Sequence, residues 1–213
     1  MMRIVMPRFV YHSTILVPLA SAIVALGLLG CDQDKGENKP ESDIASLSRK
    51  QLEKVKATFN TGVSGPRVIV FFSSGCAACD TGSAALQKAL AILDGPITLF
   101  AVWEPIFDKD PPPTRKLLGN ITDRRILQLW DPDHVLSDEM RASEVAHPGS
   151  LPQARTRTNN VDSGIMYDTV AIFPAGARWE TTLPAPEYLE VGLEAILPKV
   201  REHLANLINQ PPS

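Results

Sequence analysis

The stretch between Arg67 and Val102 constrains the fold of this chain more than any other. Arg67-Val-Ile-Val-Phe-Phe72 is a continuous β-branched and aromatic run with no apolar–polar alternation, the pattern of a strand covered on both faces. Ser73-Ser74-Gly75 is a turn. Cys76-Ala-Ala-Cys79 then opens a segment in which Leu86, Leu90 and Leu93 recur at helical spacing, ending at Asp94-Gly95-Pro96. A second buried run, Ile97 to Val102, follows. Strand, helix and strand in this order form a β-α-β unit, so the chain is predicted to be of α/β class. The unit sets two thiols three residues apart at the N-terminus of its helix.

The flanking sequence supplies the other elements of one domain, predicted over residues 47–210. Ser48-x-x-Gln51 has the spacing of a capping box, and Leu52, Val55 and Phe59 predict a helix to about Asn60. Residues 103–164 form an enlarged connection. Within it Pro111-Pro112-Pro113 blocks a helix. Leu117, Ile121, Ile126 and Leu129 suggest a short helix and an edge strand. Asp131-Pro132-Asp133-His134 is a turn, Ser137 is placed as the cap of a helix over 138–143, and 147–162 is read as a surface loop. Thr169-Val-Ala-Ile-Phe173, the turn Pro174-Ala-Gly176 and Ala177-Arg-Trp179 carry a β-hairpin signal. Leu193, Ile196, Leu197, Val200, Leu204 and Leu207 mark a C-terminal helix, which Pro198 is expected to kink or split.

The third cysteine belongs to the N-terminus. Residues 1–30 carry Arg3 and Arg8 and no acidic residue, and Ser13–Gly30 is an uncharged apolar run. A basic start, an apolar middle and small residues at the end make a secretory signal. The switch from Leu28-Leu29-Gly30-Cys31 to Asp32-Gln33-Asp34-Lys35 resembles a bacterial lipobox, in which the cysteine is lipidated and becomes the first residue after cleavage. An uncleaved membrane anchor and a free secreted product are the alternatives. Residues 31–46 are read as the lipidated cysteine and a flexible polar tether. The expected location is the bacterial cell envelope, with the domain lipid-anchored to a membrane and facing the periplasm or the exterior. Net charge is −3, without the clustered Lys and Arg of a nucleic-acid binder.

With Cys31 assigned to the anchor, cysteine chemistry is confined to the CxxC. Free N–H groups and the dipole at a helix start stabilise a thiolate on Cys76, so Cys76 is the predicted nucleophile and Cys79 the resolving thiol. A zinc site usually requires a second CxxC or a histidine pair, and the sequence has neither. A structural or inert cysteine pair is the remaining alternative.

Val68-Ile-Val-Phe-Phe72, Cys76-Ala-Ala-Cys79, Ile97-Thr-Leu-Phe-Ala-Val102 and Thr169-Val-Ala-Ile-Phe-Pro-Ala-Gly176 together resemble the thioredoxin superfamily, specifically the membrane-anchored extracytoplasmic thioredoxin-like lipoproteins of bacteria. The resemblance covers roughly residues 48–102 and 165–208. It implies a thioredoxin-like three-layer α/β sandwich and a redox-active disulfide at Cys76 and Cys79. It also implies oxidoreductase activity on extracytoplasmic protein thiols and disulfides, with no cofactor. Three positions depart from the family pattern. Gly75 stands where thioredoxins carry a tryptophan, Val70 where they carry a buried aspartate, and Asp168 where they carry a cis-proline. Glu104, Asp168 and Asp80 are the candidates to replace the missing base: Glu104 ends the strand beside the catalytic one, near Cys79, with a cap of the turn before Pro105 as its alternative reading, and Asp80 reads otherwise as a solvated first-turn acid. The missing proline raises a metal alternative, in which Cys76, Cys79 and His134 hold copper as in a thioredoxin-fold metallochaperone; soft thiolates favour Cu(I). His147 lies in the same connection, and His203 is read as solvated. Trp103, Trp130 and Trp179 are read as packing residues. A non-catalytic adaptor is the third class.

Overall fold

The computed structural model describes residues 44–61, 64–107, 110–146, 148 and 165–209. The predicted leader (1–30), Cys31, most of the tether, His147 and nearly all of the 147–162 loop lie outside the described residues. The elements run α1 (Arg49–Thr61), β1 (Arg67–Phe72), α2 (Ala77–Leu90), β2 (Thr98–Trp103), α3 (Arg115–Leu118), β3 (Ile126–Trp130), α4 (Val135–Ala146), β4 (Thr169–Phe173), β5 (Tyr188–Val191) and α5 (Leu193–Asn209).

The strands form one mixed sheet in the order β3-β2-β1-β4-β5. β1, β2 and β3 run parallel, while β4 and β5 add antiparallel. β1 is central and all six of its residues are buried, which is why its sequence shows no alternation. Its side chains still divide by parity between two cores. Val68, Val70 and Phe72 join Leu99, Ala101 and Trp103 of β2 under α2 and α5. Ile69 and Phe71 join Phe100 and Val102 under α1 and α4. The result is a three-layer α/β/α sandwich. The edge strand β3 and the helix α4 both come from the enlarged connection.

Gly95 lies in the link between α2 and β2 at φ +126°, a conformation that side chains rarely adopt. A side chain there would also meet Ile208 of α5 at 2.5 Å, so this turn requires glycine.

Four sequence expectations are corrected. Residues 44–46 belong to the fold rather than to the tether: Trp130 donates its N–H to the Ala45 carbonyl and accepts the N–H of Leu47, bridging this segment to the outer edge of β3. Residues 177–179 are not a strand. The side chain of Asn60 takes both the N–H and the carbonyl of Trp179, each at 2.8 Å, and the buried Arg67 guanidinium takes the Ala177 carbonyl. With those groups engaged no ladder forms there, and the partner of β4 is β5, beginning fifteen residues after Phe173. Ser137 lies within α4; Asp131 is the cap, accepting the N–H groups of Val135 and Leu136 at 2.9 and 2.8 Å. Finally, of the kink or split expected at Pro198, the split does not occur: α5 is one helix from Leu193 to Asn209. An internal proline costs ~3 kcal/mol. Six buried side chains on both sides of Pro198, each contributing about 1.5–3 kcal/mol, outweigh that cost.

Candidate redox site

The three parallel strands all end at one edge of the sheet, and the predicted site residues follow them. Cys76 follows β1, Glu104 follows β2 and His134 follows β3. Extending the antiparallel register of β1 and β4 by one residue sets Asp168 opposite Phe72. The left-handed φ of Asp168, +48°, turns the chain at this point.

Cys76 is the N-cap of α2, with extended backbone. Its sulfur accepts the Cys79 N–H at 3.3 Å, as the hydroxyl of a capping serine would. Cys79 is fully buried one turn into the helix, and its sulfur accepts the Ser73 N–H at 3.3 Å. Both cysteines are free thiols. The hydrogen bond from the Cys79 thiol is the largest influence on Cys76, and with the backbone N–H groups of Cys79 and Ala78 it brings the Cys76 thiol down to about 7. Cys79, which gives up its hydrogen-bonding proton to Cys76 and is desolvated, is held far above the usual thiol range. The pair is thus one acidified, accessible sulfur and one buried, protonated sulfur.

Asp168 reaches both thiols electrostatically and raises both. Its Oδ1 accepts the Leu193 N–H at 3.0 Å and its carbonyl accepts that of Gly192 at 2.8 Å, so it also starts α5. Burial, and then the charge of Glu194, push the Asp168 carboxyl up. Asp80 lies in the first turn of α2, where Oδ1 accepts the Asn120 side-chain amide at 2.7 Å.

Glu104 is not beside Cys79. By strand parity its side chain follows Phe100 and Val102 to the α1/α4 face, opposite the dithiol. There it is fully buried, with Oε2 accepting the Ser137 hydroxyl at 2.7 Å and 2.9 Å from His134 Nδ1. Burial raises the Glu104 carboxyl to about 7, and the neighbouring carboxylate raises His134 in turn. His134 is therefore engaged on the far face. Among the described residues no group of three or more His, Cys, Asp or Glu side chains is gathered as a metal site. His203 is part-buried rather than solvated, its ring tilted 30° against that of Tyr188 at 5.2 Å and 3.4 Å from Glu187. Trp103, Trp130 and Trp179 are all buried packing residues.

Sequence reasoning missed Ser73 and Asp110. A Cβ on Gly75 would stand 2.8 Å from Asp110 Oδ2, so the space beside Gly75 is filled from the loop after β2. No periodicity or motif connects two irregular segments 35 residues apart. The departure at Gly75 was the only available signal.

No protein-family model and no curated protein matches the chain. A solved structure similar to it is the thioredoxin domain of a thiol-disulfide oxidoreductase from Bacteroides vulgatus, at 14% identity and a TM-score of 0.31, covering 66% of this chain and 81% of that one. The strand order, the parallel β1-α2-β2 unit and the antiparallel β4-β5-α5 unit describe an α/β, thioredoxin-like fold with a CxxC pair at the start of α2.

Proposed function

We propose that the chain is a thiol–disulfide oxidoreductase, tethered through Cys31 to a membrane of the bacterial envelope and acting on extracytoplasmic protein thiols and disulfides. The observation that carries this reading is the asymmetry of the pair: Cys76 half-buried and acidified to about 7, Cys79 buried and protonated. A thiol near the ambient pH combines thiolate fraction with nucleophilicity, which is the optimum for exchange.

In the reducing direction the Cys76 thiolate attacks one sulfur of a partner disulfide. The Cys76–partner S–S bond forms, the partner's own S–S bond breaks, and the departing partner thiolate takes a proton. Cys79 then loses its proton and attacks the Cys76 sulfur. The Cys76–Cys79 bond forms and the second partner thiolate leaves. Two electrons pass from the dithiol to the partner, and the reverse sequence oxidises a partner dithiol.

The test is Cys79→Ala expressed in cells, which leaves the first intermediate without its resolving thiol. Mixed disulfides that appear on non-reducing gels and vanish when Cys76→Ala is added support the reading. A complete lack of Cys76-dependent adducts with envelope proteins overturns it. Labelled fatty acid fed to the cells should be incorporated into the wild type and not into Cys31→Ala; absence of label from the wild type removes the lipid tether from the reading.

A further inference from the structure

Gly75, the residue ahead of the nucleophile, is where the loop after β2 meets the redox turn. The Asp110 carboxylate stands where a Gly75 side chain would be, 2.8 and 2.9 Å from the Cβ position. It is fixed there from its own loop and from the turn. Oδ2 accepts the N–H groups of Ile106 and Phe107 at 2.9 and 3.1 Å, and the Ser73 hydroxyl lies at 3.4 Å. A second link joins the same two segments, from the Ser74 hydroxyl to the Pro111 carbonyl at 2.6 Å. Ser73 in turn holds the Cys79 sulfur through its N–H. One carboxylate is therefore bonded to the residue that holds the resolving sulfur and packed against the residue that precedes the nucleophile.

We propose that Asp110 is a positioning residue for the dithiol: its carboxylate holds the Ser73–Gly75 turn and sets a fixed negative charge beside the start of α2, biasing the Cys76–Cys79 pair toward the disulfide. This rests on the thiol–disulfide reading above. The physical cause is the helix start, whose N–H groups and dipole favour a thiolate on Cys76. An anion beside them offsets that field, destabilises the thiolate-bearing reduced form and makes the couple more reducing. Among the described residues, the other charged groups at this end of the fold include Asp168 ahead of β4, which acts on both thiols, Glu194 on α5, which acts on Asp168, and Asp80 in the first turn of α2. Asp168 also caps α5, and Asp80 also binds Asn120. Asp110 is held by the loop after β2 and by the Ser73 hydroxyl, and caps no helix.

The experiment equilibrates the purified protein and its Asp110→Asn variant with glutathione redox buffers and follows the ultraviolet thiolate absorbance of Cys76 against pH. Asn keeps an oxygen for the Ile106 and Phe107 N–H groups and removes the charge. The expected result is an equilibrium shift of about three- to tenfold toward the dithiol, or about 15–30 mV for a two-electron couple, with Cys76 titrating at lower pH. Gly75→Ala displaces the same carboxylate; it should shift the wild type in the same direction and add little to Asp110→Asn. It also serves as the reading if Asp110→Asn fails to fold. An unchanged equilibrium and titration in the folded variants overturns the proposal. The outcome is separate from the trapping test: unmoved potentials with trapped partners remove only the role of Asp110, whereas shifted potentials without partners remove only the exchange function.

Discussion

Cys79 gives its backbone N–H to the sulfur of Cys76 at 3.3 Å, and its thiol proton is directed to the same atom. The two sulfurs are therefore unequal before any partner arrives. Alkylation of the reduced wild-type protein should titrate with a midpoint of about 7 and modify Cys76 alone. In Cys79→Ala the largest influence lowering Cys76 is lost, so the midpoint should move up and the rate at neutral pH should fall severalfold. In Cys76→Ala the remaining Cys79 should resist reagent until the protein unfolds. Comparable labelling of both thiols in the native wild type contradicts the asymmetry.

Asp168 raises both thiols, and the sign of its removal follows. Asp168→Asn should lower the Cys76 titration and increase its alkylation rate at about pH 6, while an oxygen remains to accept the Leu193 N–H. Asp168→Ala makes the same electrostatic change and also uncaps α5, at a cost of about 1 kcal/mol in denaturant unfolding. Matched stabilities for the two variants would remove the capping role, and an unshifted titration in Asp168→Asn would remove the electrostatic one.

Strand, CxxC and helix were legible because each is a local pattern. The β1 run, the spacing of Leu86 and Leu90 and the stripe of α5 report their own burial. The failures share a cause. The neighbours of Trp179 carry a hairpin signal, yet a side chain 119 residues away takes both of its backbone groups. Strand adjacency sets Glu104 near Cys79, yet alternation puts it on the side of Phe100 and Val102, and a strand buried on both faces carries no signal of which side meets α2. β2 was expected at Ile97–Val102 and lies at Thr98–Trp103. Ser137 resembles a cap in sequence, whereas the helix starts earlier because Asp131 satisfies its first N–H groups. Asp110 was out of reach because its position follows from a space left by an absent side chain.

The α1 face is organised around Phe59. Its ring meets Phe173 and Trp179 edge-on at 5.2 and 5.8 Å, and the buried Arg67 guanidinium lies over it at 4.9 Å. Burial lowers Arg67 to about 10, so its charge in this apolar setting depends on the Gly65 and Ala177 carbonyls and on the ring. Phe59→Ala should cost about 3–5 kcal/mol in urea unfolding, from the cavity and the lost cation–π contact. Phe59→Leu should cost less but more than its volume change implies, because the guanidinium loses its ring. A Phe59→Leu cost no larger than a simple core substitution would show that the ring contact contributes nothing.

Glu104 and His134 give the fold a pH dependence near neutrality. Glu104 has no exposure and its Oε1 has no hydrogen-bond partner, so ionisation leaves a desolvated charge partly compensated by His134 and Ser137. His134 is held at φ +54°, a conformation uncommon for a side-chain-bearing residue. A carboxyl at about 7 in the fold and 4.5 when unfolded stabilises the fold fully below about pH 4.5. That stability is lost as pH rises through about 7. His134 is also raised in the fold, so its contribution is present below its ordinary value of 6.5 and is lost as pH climbs through its folded value. The two effects share a sign. The wild type should lose about 1–3 kcal/mol from this pair between pH 5 and pH 8. Glu104→Gln keeps an oxygen for the Ser137 hydroxyl and carries no charge. Its stability should match the wild type at pH 5 and exceed it at pH 8, with a flatter curve between. The slope due to Asp131 and Asp168, both raised by burial, remains in both proteins and cancels in the comparison. Parallel curves for the wild type and Glu104→Gln would mean that Glu104 does not titrate in this range. The buried pair would then be a permanent ion pair, with His134 rather than the proton offsetting the buried charge.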